Sequence, residues 1–430
     1  MRVLLVGGGG REHALAWKIA QSPHLTRLYA APGNPGVARH AECVPVGDGA
    51  VEELVGLAAR ERIDLVVIGP ELPLSLGLAD RLSQAGLAVF GPGQAAARLE
   101  SSKAFSKDMM ARYGIPTARF KVFRDAQPAR RFCRELGAPL VVKADGLAAG
   151  KGVIVCRTLP EADAALKLCL EDGAFGPAGR TVVVEEFMEG EEASFFALTD
   201  GASALPLPAA QDYKTIFDDD RGPNTGGMGA YSPAPVVDEA MSRRVMDEIV
   251  SPTIAAMAKE GAPYVGALYV GLMITAEGPR VVEFNCRFGD PECQTIMPRL
   301  DEDILPVFEA IAAGRGLPTS LRWRAEASVC VVLASPGYPG PPRTGLPIHG
   351  LDAAGGLDAD GGLSGINVFH AGTARRAGVL VTSGGRVLGV QALGPDVRAA
   401  VASAYAAVER VRFDGMQFRR DIGRRASTRT

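Results

Sequence analysis

The chain opens on four consecutive apolar residues, 3–6, cut off by four glycines at 7–10 and followed by REHALAWKIAQ. A short apolar run ending in glycines before a helical stretch reads as a buried strand, a turn and a helix, the unit that begins a doubly wound α/β domain. IDLVVIGPELPL at 63–74 repeats the pattern with a β-branched run ending in Gly-Pro, and LAVFGPG at 87–93 supplies a third. Three parallel strands with helices between them are therefore predicted for residues 1–100, with ligand-binding loops at the strand carboxyl ends. From 101 the texture changes. A helix is predicted around SSKAFSKDMMARYG, and PLVVKADGLAAGKGVIVC at 139–156 shows two strand-like runs joined by a Gly-rich loop bearing lysine, the mark of a small β-rich lid over 120–190. From 191 to about 325, long apolar strands, YVGALYVGLMIT (264–275) and RVVEFNCRF (280–288), bracket polar loops dense in Asp, Lys, Arg and Asn, so this stretch is the expected catalytic body. From 327 to 430 the chain turns Gly- and Pro-rich and β-like, then closes with a helix near 397–411 and a basic tail. The predicted class is α/β and α+β, multidomain, without internal repeats.

Composition narrows the function. At 430 residues and 47% hydrophobic content the chain can bury several cores. Its 46 basic and 49 acidic residues leave a net charge of −3, without the basic excess of a nucleic-acid binder, so small ligands and no nucleic-acid partner are expected. Seven cysteines without a CxxC pair fit a reducing cytoplasm better than a disulfide framework or a zinc site. No apolar run approaches the roughly 20 residues of a membrane span. Met1-Arg2-Val3 leads straight into the first strand, so neither membrane association nor export is expected.

Five segments carry candidate chemistry. In GGGGREH (7–13), a strand ending in glycines at a helix amino terminus offers N–H groups and a positive dipole to a phosphate. The dinucleotide fingerprint fails in both frames, because Gly7 and Gly9 lead to Glu12, and Gly8 and Gly10 to His13. A small phosphorylated ligand is favoured over a nicotinamide site or a purely structural turn. KADGLAAGKGV (143–153) is not a Walker A loop, since only three residues separate Gly146 from Gly150 and Gly152 stands where Ser or Thr should be. It reads instead as a hairpin folding over polyphosphate, with Lys143 and Lys151 as point charges, against the alternative of a solvated basic turn. Lys143 interrupts an apolar run, where a charge needs a partner to hold it. In VVVEEFMEGEEASFF (182–196), Glu189 and Glu191 are expected to be solvated, whereas Glu185, Glu186 and Glu192 adjoin apolar segments and could meet an adenine amino group and ribose hydroxyls.

The loop 211–233 combines charge with Gly, Pro and Asn, and is long enough to be functional. Asp212 and Lys214 could grip a polar substrate and the glycines at 226–229 close on an anion, while Asp218, Asp219 and Asp220 read as a solvated turn. In VVEFNCRFGDPECQ (281–294), strand alternation puts Glu283, Asn285 and Arg287 on one face and Val282, Phe284, Cys286 and Phe288 on the other. Two oxygen ligands beside a cation suit a magnesium ion bridging phosphates, with the arginine neutralising a transferring group; the alternative is a structural ion-pair strip. Cys286 and Cys293 have no nearby histidine to activate a thiol, and His13, His24, His40, His349 and His370 show no metal spacing.

Along its whole length the chain resembles the glycinamide ribonucleotide synthetases of the ATP-grasp superfamily. The resemblance rests on GGGGREHA, PGNPG (32–36), GPELPL (69–74), LESSKAFSK (99–107), VKADGLAAGKGV (142–153), GPNTGGMGAYSP (222–233), EFNCRFGDPE (283–292), VFHAGT (368–373), TSGGRVLGV (382–390) and FRRDIG (418–423). It implies an amino-terminal preATP-grasp domain (1–100), an ATP-grasp body (101–326) with 120–190 as its lid, and a β-rich carboxyl-terminal domain (327–430). It further implies ligation of glycine to 5-phosphoribosylamine through glycyl phosphate, using ATP with Mg²⁺ or Mn²⁺. Carried over by position, Lys103, Lys143 and the Lys151 loop would hold ATP phosphates, Glu185, Glu186 and Phe187 would line the adenine pocket, and Glu192 would meet the ribose. Glu283 and Asn285 would ligate metal and Arg287 would stabilise the transferring phosphoryl group. Asp212, Lys214, Gly226 and Gly227 would position glycine and phosphoribosylamine, with Gly8, Gly9, Gly10 and Arg11 adding sugar-phosphate contacts. GLMIT (271–275) lacks the extra acidic ligand many ATP-grasp enzymes place there, and Gly8 stands where serine is frequent. A cytoplasmic monomer is the expectation. A different ATP-grasp ligase, a nicotinamide oxidoreductase and a non-catalytic nucleotide-binding regulator are the competing readings.

Overall fold

A computed structural model of the chain describes residues 1–147, 152–352 and 365–427. The first hundred residues form a parallel sheet of five strands, not the three predicted: β1 (Arg2–Gly7), β2 (Arg27–Pro32), β3 (Glu42–Cys43), β4 (Leu65–Ile68) and β5 (Ala88–Phe90), in the order β3-β2-β1-β4-β5. All four residues of β4 and residues 3–6 of β1 are buried, as strands covered on both faces must be. The chain leaves β1 toward one sheet edge and returns at β4 to build the other, so the switch point lies between their carboxyl ends. Gly7 and the Gly69-Pro70-Glu71 turn sit there.

A helix at Lys103–Tyr113 follows. Ser102 caps it by accepting the Phe105 N–H at 3.2 Å, and Gly114 ends it in the left-handed conformation at φ +69°. Next comes an antiparallel four-stranded sheet, β6 (Phe120–Phe123), β7 (Leu140–Ala144), β8 (Val153–Cys156) and β9 (Val182–Glu186), in the order β6-β9-β7-β8. Leu140, Val142, Ala144, Val182 and Val184 join a core with Phe132 and Leu166 from its covering helices. Strand alternation turns Val141, Lys143 and Glu185 to the other face, toward a cavity.

The remaining strands are β10 (Glu191–Asp200), β11 (Ala204–Asp212), β12 (Thr215–Phe217), β13 (Arg221–Asn224), β14 (Gly229–Ser232), β15 (Val265–Thr275), β16 (Gly278–Asn285), β17 (Ala327–Ala334), β18 (Ile366–His370), β19 (Thr373–Arg376), β20 (Val379–Thr382) and β21 (Arg386–Gly394). Eight of them make one sheet, β16-β15-β10-β11-β14-β17-β21-β18. It is packed on both faces: Phe195 and Ala197 enter one core cluster, Phe196 and Leu198 another. Because β14 pairs with β17, this sheet runs without a break across residue 326, where sequence texture alone marks a boundary. The helix Val397–Val408 covers the carboxyl-terminal strands. No helix among the described residues is long and apolar enough to cross a membrane.

Candidate active site

The four-stranded sheet, the large sheet, the switch point of the first domain and a carboxyl-terminal loop enclose a cavity of about 660 Å³. Lys103 and Lys107, one helical turn apart, reach it beside Lys143. Glu185 holds two of the three: it is ion-paired with Lys143 and, at 2.5 Å, with Lys107, and all three side chains are buried. Lys143 also donates to the Val282 carbonyl at 3.0 Å and Lys107 to Thr117 Oγ1 at 2.7 Å. Burial brings the Lys107 ammonium down to about 8 despite the Glu185 charge. Lys103 donates to the Gly146 carbonyl at 3.0 Å, and burial lowers its pKa too. Leu147, Val155 and Phe187, exposed apolar side chains on or beside the four-stranded sheet, line the same cavity, while Glu186 is turned to Arg280 at 3.0 Å.

On β16, Glu283 and Asn285 face the cavity two residues apart, and neither side chain has a hydrogen bond or ion pair among the described residues. Burial alone would raise the Glu283 pKa, but Lys214, Lys143 and Lys103 surround it and pull it below the usual carboxylate value. An anionic carboxylate beside an amide oxygen, both open to a polar cavity, fits a hard divalent cation. The partner strand places Gly271, not an acid, opposite Glu283. Arg287 lies just past the end of β16, between Glu100 at 2.9 Å and Glu71 at 3.3 Å, with 17% of its side chain exposed.

Asp212 and Lys214 line the same cavity. Lys214 pairs with Glu192 at 2.7 Å, and the charges of Glu192 and Asp212 raise its pKa against burial. Asp212 moves the other way: burial, reinforced by Glu292 and Glu192 and opposed by Lys214, pushes its carboxyl up to about 7. Glu292 is buried and accepts from Ser194 Oγ at 3.0 Å, and that hydroxyl also meets Tyr269 at 3.1 Å. The loop below is fixed from the carboxyl-terminal region. Gly226 donates its N–H to Tyr338 at 2.8 Å, and Arg386 donates to the carbonyls of Gly226 at 2.5 Å and Asp290 at 2.6 Å. One concave site thus presents a lysine-rich wall, a carboxylate-rich wall and two unengaged oxygen donors.

Family models match in register with the chain: the phosphoribosylglycinamide synthetase N domain over residues 1–100, its ATP-grasp (A) domain over 101–293 and its C domain over 328–425. The chain belongs to the phosphoribosylglycinamide synthetase family. Phosphoribosylamine–glycine ligases of Mesorhizobium japonicum and Pseudomonas aeruginosa are 54% and 50% identical to it, each alignment covering 100% of this chain and 99% of the relative. The crystal structure of the Thermotoga maritima phosphoribosylamine–glycine ligase superposes with a TM-score of 0.85 at 34% identity, over 98% of this chain and 100% of that one. The biotin carboxylase domain of Hydrogenobacter thermophilus 2-oxoglutarate carboxylase shares the fold, with a TM-score of 0.75 at 19% identity over 97% and 91% of the two chains.

Within this synthetase-family fold, most residues singled out from sequence converge. Lys103, Lys143, Glu185, Glu186, Phe187, Glu192, Asp212, Lys214, Gly226, Glu283, Asn285, Arg287 and Arg11 all line the cavity. Lys151 lies outside the described residues. Gly8, Gly9, Gly10 and Gly227 are not among the residues that line it. The Gly9 N–H already donates to Glu12 at 2.6 Å, and the Arg11 N–H faces Asp290 at 3.4 Å. Close packing also demands glycine here: a Cβ on Gly8 would fall 2.5 Å from the Gly33 carbonyl oxygen, and one on Gly227 2.5 Å from Pro291. Glu191, read as solvated, is half-buried and accepts from Gln211 at 2.8 Å; Asp219 and Asp220 are exposed, as read, yet the 218–220 turn is also held by arginines of the carboxyl-terminal tail. Sequence reasoning missed Glu71, Glu100, Lys107, Tyr269, Glu292, Tyr338 and Arg386 as cavity residues. Lys107 alone had a usable signal, its four-residue spacing from Lys103 on a predicted helix.

Proposed function

We propose that the chain joins glycine to 5-phosphoribosylamine, giving glycinamide ribonucleotide, ADP and phosphate. A carboxylate is a poor acyl electrophile, so the γ-phosphoryl group of ATP first passes to a glycine carboxylate oxygen. The amine nitrogen of phosphoribosylamine then attacks the acyl carbon; the C–N bond forms, phosphate leaves with the C–O bond, and the nitrogen loses one proton. The observation that best supports this is that one cavity gathers two charge clusters, Lys103, Lys107 and Lys143 in one and Asp212 with Glu292 in the other. Phosphates belong with the first set and ammonium groups with the second. Glycine bound with its ammonium toward the carboxylates would turn its carboxylate toward the phosphates, the orientation phosphorylation needs.

In this reading Lys103 and Lys143 hold the phosphates under the Lys151 loop. Phe187, Glu186 and the apolar lid receive adenine, and Glu192 the ribose. Glu185 acts through the lysines it orders. Glu283 and Asn285 hold a divalent cation, Mg²⁺ or Mn²⁺, which when bound supplies charge neutralisation to the phosphate oxygens. Arg287 stabilises the transferring group, Asp212 takes up the amine proton near neutral pH, and Lys214 with the Gly226 loop positions glycine. Arg11 contributes to the sugar-phosphate site. We likewise propose three functional units, 1–100, 101–326 with its lid at 120–190, and 327–430, in a cytoplasmic monomer, which sedimentation will test. The deciding assay is ADP release. It should require both glycine and phosphoribosylamine, and turnover with formate or bicarbonate in place of glycine would overturn the assignment.

A further inference from the structure

Arg419 has the largest fully buried side chain among the described residues, at 0% exposure. It makes a two-pronged pair with Asp421, from Nε at 2.8 Å and Nη2 at 2.7 Å. Its Nη1 donates to Thr215 Oγ1 at 2.8 Å, to the Thr215 carbonyl at 3.2 Å and to Asp220 at 3.1 Å. Arg425 donates to the Asp212 carbonyl at 3.2 Å and to both Asp220 oxygens at 2.8 Å. Both guanidinium groups lie over the Tyr213 ring, at 4.6 Å and 4.3 Å from its centroid, and the Gly423 N–H donates to the Tyr213 hydroxyl at 3.0 Å. The tail thus holds the backbone of residues 212–215 from behind. Side-chain alternation explains the consequence: Tyr213 points back into the carboxyl-terminal core, so Asp212 and Lys214 on either side point into the cavity.

A buried arginine is a costly way to gain stability, because its desolvation offsets most of the attraction. What a planar guanidinium supplies is geometry: its fixed fork sets a carboxylate, a hydroxyl and a carbonyl relative to one another. We propose that Arg419, assisted by Arg425, is a positioning residue for the Asp212–Lys214 pair, so that the extreme carboxyl-terminal segment sets the glycine end of the site. This rests on the reading that those two residues handle glycine and the incoming amine.

The test compares Arg419→Lys, which keeps the charge and loses the fork, with Asp220→Asn and Asp212→Asn, reading KM for glycine, KM for ATP, kcat and the thermal transition. Arg419→Lys should lower kcat/KM for glycine about tenfold or more, as sub-ångström misplacement of reacting groups does, with KM for ATP held within about twofold. Asp220→Asn, whose side chain is 52% exposed and whose folding is therefore safe, should lower it by a smaller factor, about threefold. In an Asp212→Asn background the Arg419→Lys effect should shrink, because it acts through Asp212. Glycine kinetics within about twofold of the parent in folded Arg419→Lys, or in Asp220→Asn if the former does not fold, overturn the proposal. So does a loss in which glycine and ATP constants keep their values and only the folded fraction falls. If Asp212→Asn itself leaves glycine kinetics intact, the underlying assignment of that residue fails instead, whatever the arginine variants do.

Discussion

Acidification from about pH 8 to about pH 6 should lower kcat/KM for glycine about tenfold, by protonating Asp212. Its carboxyl is pushed up to about 7 by burial, with Glu292 and Glu192 adding to the shift and Lys214 opposing it. A group titrating there is about ten-elevenths ionised at the higher pH and about one-eleventh at the lower, and only the ionised form can accept the amine proton. The measurement is the initial rate of ADP release with ATP and phosphoribosylamine saturating at every pH, so that the profile reports the enzyme before glycine binds. Two variants should move the inflection in opposite directions. Glu292→Gln removes a charge that raises the Asp212 pKa and shifts the inflection down; Lys214→Met removes the charge that lowers it and shifts the inflection up. Unfolding is not an alternative cause at this residue. With a folded pKa above the unfolded value, the folded state binds more protons between about pH 4 and 7, so the contribution of Asp212 to stability grows as pH falls across that window. A flat profile, or an inflection that both variants leave in place, would refute the reasoning.

Three further outcomes follow from the same geometry. Glu185→Gln leaves the buried ammonium groups of Lys107 and Lys143 without their shared carboxylate, which should cost about 3–5 kcal/mol, seen as a lowered thermal transition together with a raised KM for ATP; no change in either discards the lysine-ordering role. Glu283→Gln should raise the divalent-cation concentration needed for half-maximal rate about tenfold or more at fixed ATP, and an unaltered metal titration would remove Glu283 from the cation site. Gly8→Ala, driven against the Gly33 carbonyl, should destabilise by about 1–3 kcal/mol without changing KM for phosphoribosylamine in the folded fraction; a raised KM would restore the ligand contact that the glycine turn was expected to make.

What could be read from the sequence was whatever repeats along one strand or one helix. The alternation in β16 places Glu283 and Asn285 toward the cavity and Phe284 in the core, as two-residue periodicity requires. The intrusion of Lys143 into an apolar run likewise foretold a buried partner, which is Glu185. What could not be read was pairing across long separations. Nothing local to Asp218, Asp219 and Asp220 distinguishes a solvated acidic turn from one closed by arginines some 200 residues later, and nothing in a glycine turn says whether its donors are already taken by Glu12 and Asp290. Arg287 lies between these cases. Its neighbourhood was visible in the strand pattern, but the two carboxylates that hold it come from the first domain's switch point and from the helix Gln94–Ser101, contributions that only the tertiary fold assembles. Residues whose direction follows from their own strand, Glu283 and Asn285, are constrained by covalent periodicity alone. Asp212 and Lys214 depend in addition on the tail behind them, so disturbing that tail should fall on the glycine side of the reaction before it reaches the nucleotide side.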